Sequence, residues 1–87
     1  MIRDERLIRA ILERVNAAPP GTFDPFTMVE EGFDHTKLFR HVDHLIATGY
    51  LEGRMHAATS QGDRFVTATI TGLTPQGRAL FNRLTND

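Results

Sequence analysis

The four histidines are the residues of this chain whose type best suits metal binding or acid–base chemistry. His41 and His44 lie three residues apart, a spacing that places two ligands on one side of a helix, and His35 or His56 could complete a zinc site. No second ligand pair follows at a recognised spacing, and the chain contains no cysteine. At His41, on the edge of an apolar helix face, the sequence therefore favours a hydrogen-bonded structural histidine over a metal ligand.

Nucleophilic catalysis is not indicated by the spacing of the polar residues. Ser60 lies in a segment predicted to be a loop, and Asp43, beside His44, projects sideways from a predicted helix. A nucleophile, a base and an orienting group cannot be assembled from these positions, and no glycine-rich phosphate loop is present. We therefore expect neither enzymatic activity nor a cofactor.

The segment from Asp34 to Thr48 carries a polar and partly cationic helix face. On a helical wheel one side is apolar, with Leu38, Val42, Leu45 and Ile46. The opposite side holds Thr36, Lys37, Arg40, His44 and Ala47, with Asp43 at its margin. Lys37 and Arg40 could donate to guanine or to phosphates, and Thr36 could contact a thymine methyl group or a phosphate. An ordinary amphipathic helix with a solvated side gives the same pattern, so both interpretations stay open.

The first positioning element is a helix predicted over residues 4–17. Its apolar residues recur at the spacing of one helical face: Leu7, Ile8, Ile11, Leu12 and Val15. Asp4 is placed to cap its start, and Pro19-Pro20-Gly21 cannot continue it.

A short second helix is predicted from Pro25 to Glu31, since Asp24-Pro25 is an N-cap followed by a proline at the first helical position. Gly32 is a natural left-handed terminator, and Asp34 follows at once to begin the next helix. Two helices joined by about three residues that include glycine are typical of a helix-turn-helix.

A β-hairpin over residues 50–71 follows Gly49. Its second strand, residues 64–71, alternates apolar and polar residues with the period of a half-buried strand. The connection, residues 56–63, is built mainly from small polar residues, as the tip of a wing would be. Arg54 and Arg64 flank it and could contact phosphates beside a DNA groove, although an arginine on each strand could equally serve solubility.

The last predicted element is a helix that opens with Thr74-Pro75 and runs to Leu84. We expect Leu80, Phe81 and Leu84 to pack on the core or on a partner subunit. Gly77 in its first turn costs helix stability, which indicates close approach to a neighbour, and we expect that neighbour to be the hairpin.

Two strings carry a family resemblance: residues 41–53, a histidine-bearing helix ending in Thr48-Gly49-Tyr50-Leu51, and residues 70–77, which contain Leu73-Thr74-Pro75-Gln76-Gly77. They are similar to small bacterial and prophage winged-helix proteins, among them a phage-associated family of unknown function. Tyr50 stands where that pattern usually has leucine. The resemblance implies an α+β winged helix-turn-helix, with a three-helix core, a two-stranded wing hairpin and a C-terminal helix, and a relation to transcription regulators.

Composition sets the limits on function. We expect a single domain over residues 1–87, in the cytoplasm and outside the membrane, because the start is charged and no apolar run is long enough to span. The net charge of −1 is low for a nucleic-acid module. Two functions stay open. The first is a homodimeric DNA-binding regulator that places the helix over residues 34–48 in the major groove of double-stranded DNA; the second is a winged-helix module that binds a protein partner.

Overall fold

A computed structural model describes residues 4–57 and 65–86 of this chain. Capping residues begin its helices, and glycines with positive φ follow two of them. The described residues form α1 (Glu5–Ala17), α2 (Phe26–Glu30), α3 (His35–Ala47), β1 (Leu51–Ala57), β2 (Phe65–Leu73) and α4 (Pro75–Thr85). The described part of the chain is therefore α+β, with four helices and an antiparallel hairpin after the third. This arrangement is compatible with a winged helix, and the predicted fold class is confirmed.

The start of α1 is capped as the sequence predicts. The Asp4 carboxylate accepts hydrogen bonds from the backbone N–H groups of Arg6 and Leu7, at 3.0 and 3.2 Å. The five apolar residues of the predicted face are all buried: Leu7, Ile8, Ile11, Leu12 and Val15. The predicted bounds of this helix are confirmed to within one residue, with Asp4 as the cap.

The turn between α2 and α3 also follows local signals. α2 begins one residue later than predicted, with Pro25 rather than Asp24 as its N-cap, although Asp24 accepts from the N–H of Phe26 at 3.0 Å. At the start of α3, Asp34 is the N-cap as predicted and accepts from the N–H of Lys37 at 2.8 Å. Between the two helices Gly32 has φ +111°, a backbone conformation that side chains disfavour. The two predicted helices and their short, glycine-containing link are present.

The hairpin pairs Leu51 with Leu73 and Arg54 with Thr69, with irregularities in register after Glu52 and after His56. On β2, Ala68 and Ile70 are buried whereas Thr69 is exposed, which confirms the alternation at these positions. The predicted tip of the wing, residues 56–63, lies mostly outside the described residues, at positions 58–63.

A one-residue strand joins the hairpin from the segment between α1 and α2, and the sequence pattern did not indicate it. Phe23 forms an antiparallel bridge with Ile70, and the N–H of Gly21 donates to the carbonyl of Thr71 at 3.1 Å. The segment before α2 is thereby fixed to the sheet, which orients α2 and the α3 that follows it.

α4 packs against the backbone of Tyr50, just before β1. The hydroxyl of Thr74 caps it by accepting from the N–H of Gly77 at 3.0 Å. A Cβ on Gly77 would lie 1.9 Å from the carbonyl oxygen of Tyr50, so only glycine permits this approach. The predicted close packing is present, against the residue that immediately precedes β1. No helix within residues 4–57 and 65–86 is long and apolar enough to cross a membrane.

Candidate nucleic-acid interface

α3 has one buried face and one exposed face. Four apolar side chains hold α3 against the core: Leu38, Phe39, Val42 and Leu45. Thr36, Arg40 and Ala47 consequently lie exposed on the opposite side of the helix. No ion pair within 4 Å involves Arg40 among the described residues. Its guanidinium therefore keeps its donors available for an external acceptor.

Lys37, on the same helix, is engaged within the protein. Its ammonium lies 2.8 Å from the carboxylate of Asp4, and the Lys37 side chain is 54% exposed. The hydrogen bond from Lys37, together with the N–H of Leu7, lowers the pKa of Asp4 from its ordinary value, and these effects outweigh the opposing effect of desolvation. Lys37 thus lies on the predicted face, but a phosphate would have to compete with Asp4 for the ammonium group of Lys37.

His41 is the buried histidine of the described residues, with a side chain 2% exposed. The backbone N–H of Asp4 donates to its Nε2 at 3.1 Å, and its Nδ1 lies 2.8 Å from the carbonyl of Lys37. Since Nε2 accepts, the geometry assigns the ring proton to Nδ1, which donates to that carbonyl. Both nitrogens are occupied, which fits a structural histidine. Among the described residues no group of three or more potential ligands is placed to hold a metal.

His44 lies at the edge of the α3 face rather than at its centre. It is half-buried and borders a groove of about 320 Å³ between α1, α4 and the end of α3. The helical wheel placed it opposite the apolar side but could not show α4 packing nearby, because that contact joins elements far apart in sequence.

On the hairpin, Arg54 is exposed and stands opposite Thr69. The same surface carries His56, whose Nε2 lies 2.7 Å from the hydroxyl of Thr69. Arg54, His56 and Thr69 line a shallow depression there together with Glu52 and Thr71. Arg64, the other predicted hairpin contact, lies outside the described residues.

An aromatic cluster next to α3 was not identified from the sequence. The rings of Phe26, His35 and Phe39 lie 4.6 to 5.6 Å apart, and Phe26 is 36% exposed. The spacing of four between His35 and Phe39 was a usable signal, since such pairs meet on a helix surface. Phe26 comes from α2, so only the packing of α2 on α3 brings it there.

The family resemblance stated from the sequence stays a prediction after comparison with known proteins. No family model, no curated protein and no solved structure matches this chain.

Proposed function

We propose that this protein binds double-stranded DNA, with α3 in the major groove and the hairpin beside the phosphate backbone, and acts as a regulator of transcription. The observation that carries the proposal is the exposure of Arg40 at the centre of the α3 face, without an ion-pair partner among the described residues. Arginine donates two parallel hydrogen bonds to guanine or phosphate, and a binding helix needs such a group on its outer side.

Thr36 and Ala47, on the same side of α3 as Arg40, support the same orientation. Thr36 lies one turn nearer the start of α3, which is the end that usually contacts bases in a helix-turn-helix. Ala47 lies further along the same side and leaves room for a close approach of DNA. Arg54 on the exposed surface of the hairpin supplies a second cation, suited to a phosphate contact.

The near-neutral net charge of the chain limits how strongly one copy can bind DNA. A net charge of −1 gives little long-range attraction to DNA, so binding depends on a few local contacts. A single copy with a few such contacts binds weakly, and two copies on a two-part site would raise both affinity and specificity. The proposal therefore includes a homodimer.

Fluorescence anisotropy with matched charge reversals tests this interface. Arg40→Glu should weaken binding to random and genomic-neighbourhood duplexes about tenfold or more, because a carboxylate replaces a base or phosphate donor. Arg78→Glu makes the same charge change on α4, where Arg78 is exposed and bonds to Asn16. Equal losses in the two variants would show a non-specific charge effect and reject the α3 face. Circular dichroism verifies that both variants fold.

A second candidate is a module that binds a protein partner and not DNA. Two observations favour it: Asp4 already neutralises part of the charge of Lys37, and Phe26 exposes an aromatic ring beside α3. Exposed aromatic rings are enriched at the centres of protein interfaces. Absence of DNA binding by folded protein at low salt would favour this second function.

A further inference from the structure

A groove of about 320 Å³ lies between α1, α4 and the C-terminal end of α3. Ile8 of α1 and Leu80 and Leu84 of α4 contribute to the apolar part of its lining, and polar atoms make up about half of the lining. Ile8 is buried, whereas Leu80 and Leu84 are only half-buried, so α4 still presents apolar surface to the outside. Burying that remaining surface would be favourable, which makes the groove a place where another surface can pack.

The walls of the groove carry opposite charges. Glu5 on α1 and Arg83 on α4 both border it, and both are exposed. They do not pair with each other, since no ion pair within 4 Å joins them. The groove therefore has an acidic wall, a partly apolar lining and a basic wall.

We propose that a second copy of this chain packs on this groove to form a symmetric homodimer. In a two-fold interface the same patch is used by both copies, and with the two-fold axis along the groove Glu5 of each copy meets Arg83 of the other. One acidic and one basic wall make the surface complementary to itself, and both charges are satisfied at once. A partner of a single charge sign would be repelled by one of the two walls.

The inference names the surface of the homodimer that the proposed function includes, and it does not rest on DNA binding. Thr36 and Arg40 of the exposed α3 face do not line this groove, whereas His44 at the edge of that face does. If the protein proves to be monomeric, DNA binding by the monomer is still tested by its own affinity measurement. Failure of DNA binding would likewise leave the dimer unaffected.

Reciprocal charge reversal tests the interface. Glu5→Arg leaves two positive walls, and Arg83→Glu leaves two negative walls, so each variant repels its own copy. Mixing the two variants restores opposite charges at both ion pairs. Glu13→Arg, an exposed reversal on α1 that does not border the groove, is the control.

Size-exclusion chromatography with light scattering gives the result directly. We expect the wild type and Glu13→Arg at twice the 9.8 kDa chain mass, and each groove variant at the monomer mass or with a dissociation constant raised at least tenfold. The equimolar mixture should recover the dimer. A monomeric wild type at the highest soluble concentration would overturn the proposal and leave the groove to a peptide or a small molecule. Folded groove variants as dimeric as the wild type, or a mixture that stays monomeric, would also overturn it.

Discussion

The backbone N–H of Asp4 donates a 3.1 Å hydrogen bond to Nε2 of His41, which joins the start of α1 to the middle of α3. The carboxylate of Asp4 caps α1 and also pairs with Lys37. One residue therefore fixes the position of α1 relative to the helix that carries the candidate interface.

Replacing His41 with leucine should release this connection. The N–H of Asp4 loses its acceptor, and we expect the free energy of unfolding to fall by about 1 kcal/mol, the usual net contribution of such a partly buried hydrogen bond. Amide hydrogen exchange at Asp4 should accelerate in the same variant. Thr36→Leu, at an exposed position of α3, should change stability by no more than about 0.5 kcal/mol. Equal stability of the two variants would contradict a structural role for His41.

The stability of the protein should depend on the ionisation of Asp4. Lys37 and the N–H of Leu7 lower the pKa of Asp4 below the ordinary value of 3.8. The ionised form therefore contributes stability above about pH 3.8, and this contribution is lost as the pH falls through the lowered pKa. Asp4→Asn keeps a capping side chain and removes the charge. Thermal melts should show the wild type more stable at pH 7, with the difference narrowing in acid; a difference independent of pH would contradict this account.

Gly77→Ala should destabilise the protein even though alanine favours helices. Its Cβ would lie 1.9 Å from the carbonyl oxygen of Tyr50, so either α4 or the start of β1 has to move. We expect a loss of about 2 kcal/mol or more in urea unfolding, whereas helix propensity alone would give a gain of about 1 kcal/mol. Gly72→Ala is the control, because a Cβ there meets no atom within 4 Å. A stabilised Gly77→Ala would show that α4 is not packed against Tyr50.

The elements of this fold were predictable because their signals are local. Asp34 and Thr74 cap helices through bonds to N–H groups three residues further on, and Gly49 ends α3 with φ +89°. The bridge between Phe23 and Ile70 was not predictable, because a one-residue strand shows no periodicity and its partner is distant in sequence. Strand alternation carries information only where several residues repeat it.

The candidate site was predictable only in its outline. The wheel placed Thr36 and Arg40 on the exposed side of α3, where they lie. It could not show that Lys37 pairs with Asp4 or that His44 borders the groove beside α4, because both depend on how distant elements pack. Side-chain types thus located the face, and tertiary contacts determine which of its cations are available.

The most direct test of DNA binding is the salt dependence of duplex affinity for the wild type, measured by fluorescence anisotropy. Contacts to about four phosphates should give a slope of roughly −3 to −4 in a plot of log affinity against log salt, because counterions are released on binding. That slope, with clear binding at low salt, is the result the account predicts. Absence of binding at low salt, or an affinity that salt does not change, would contradict it.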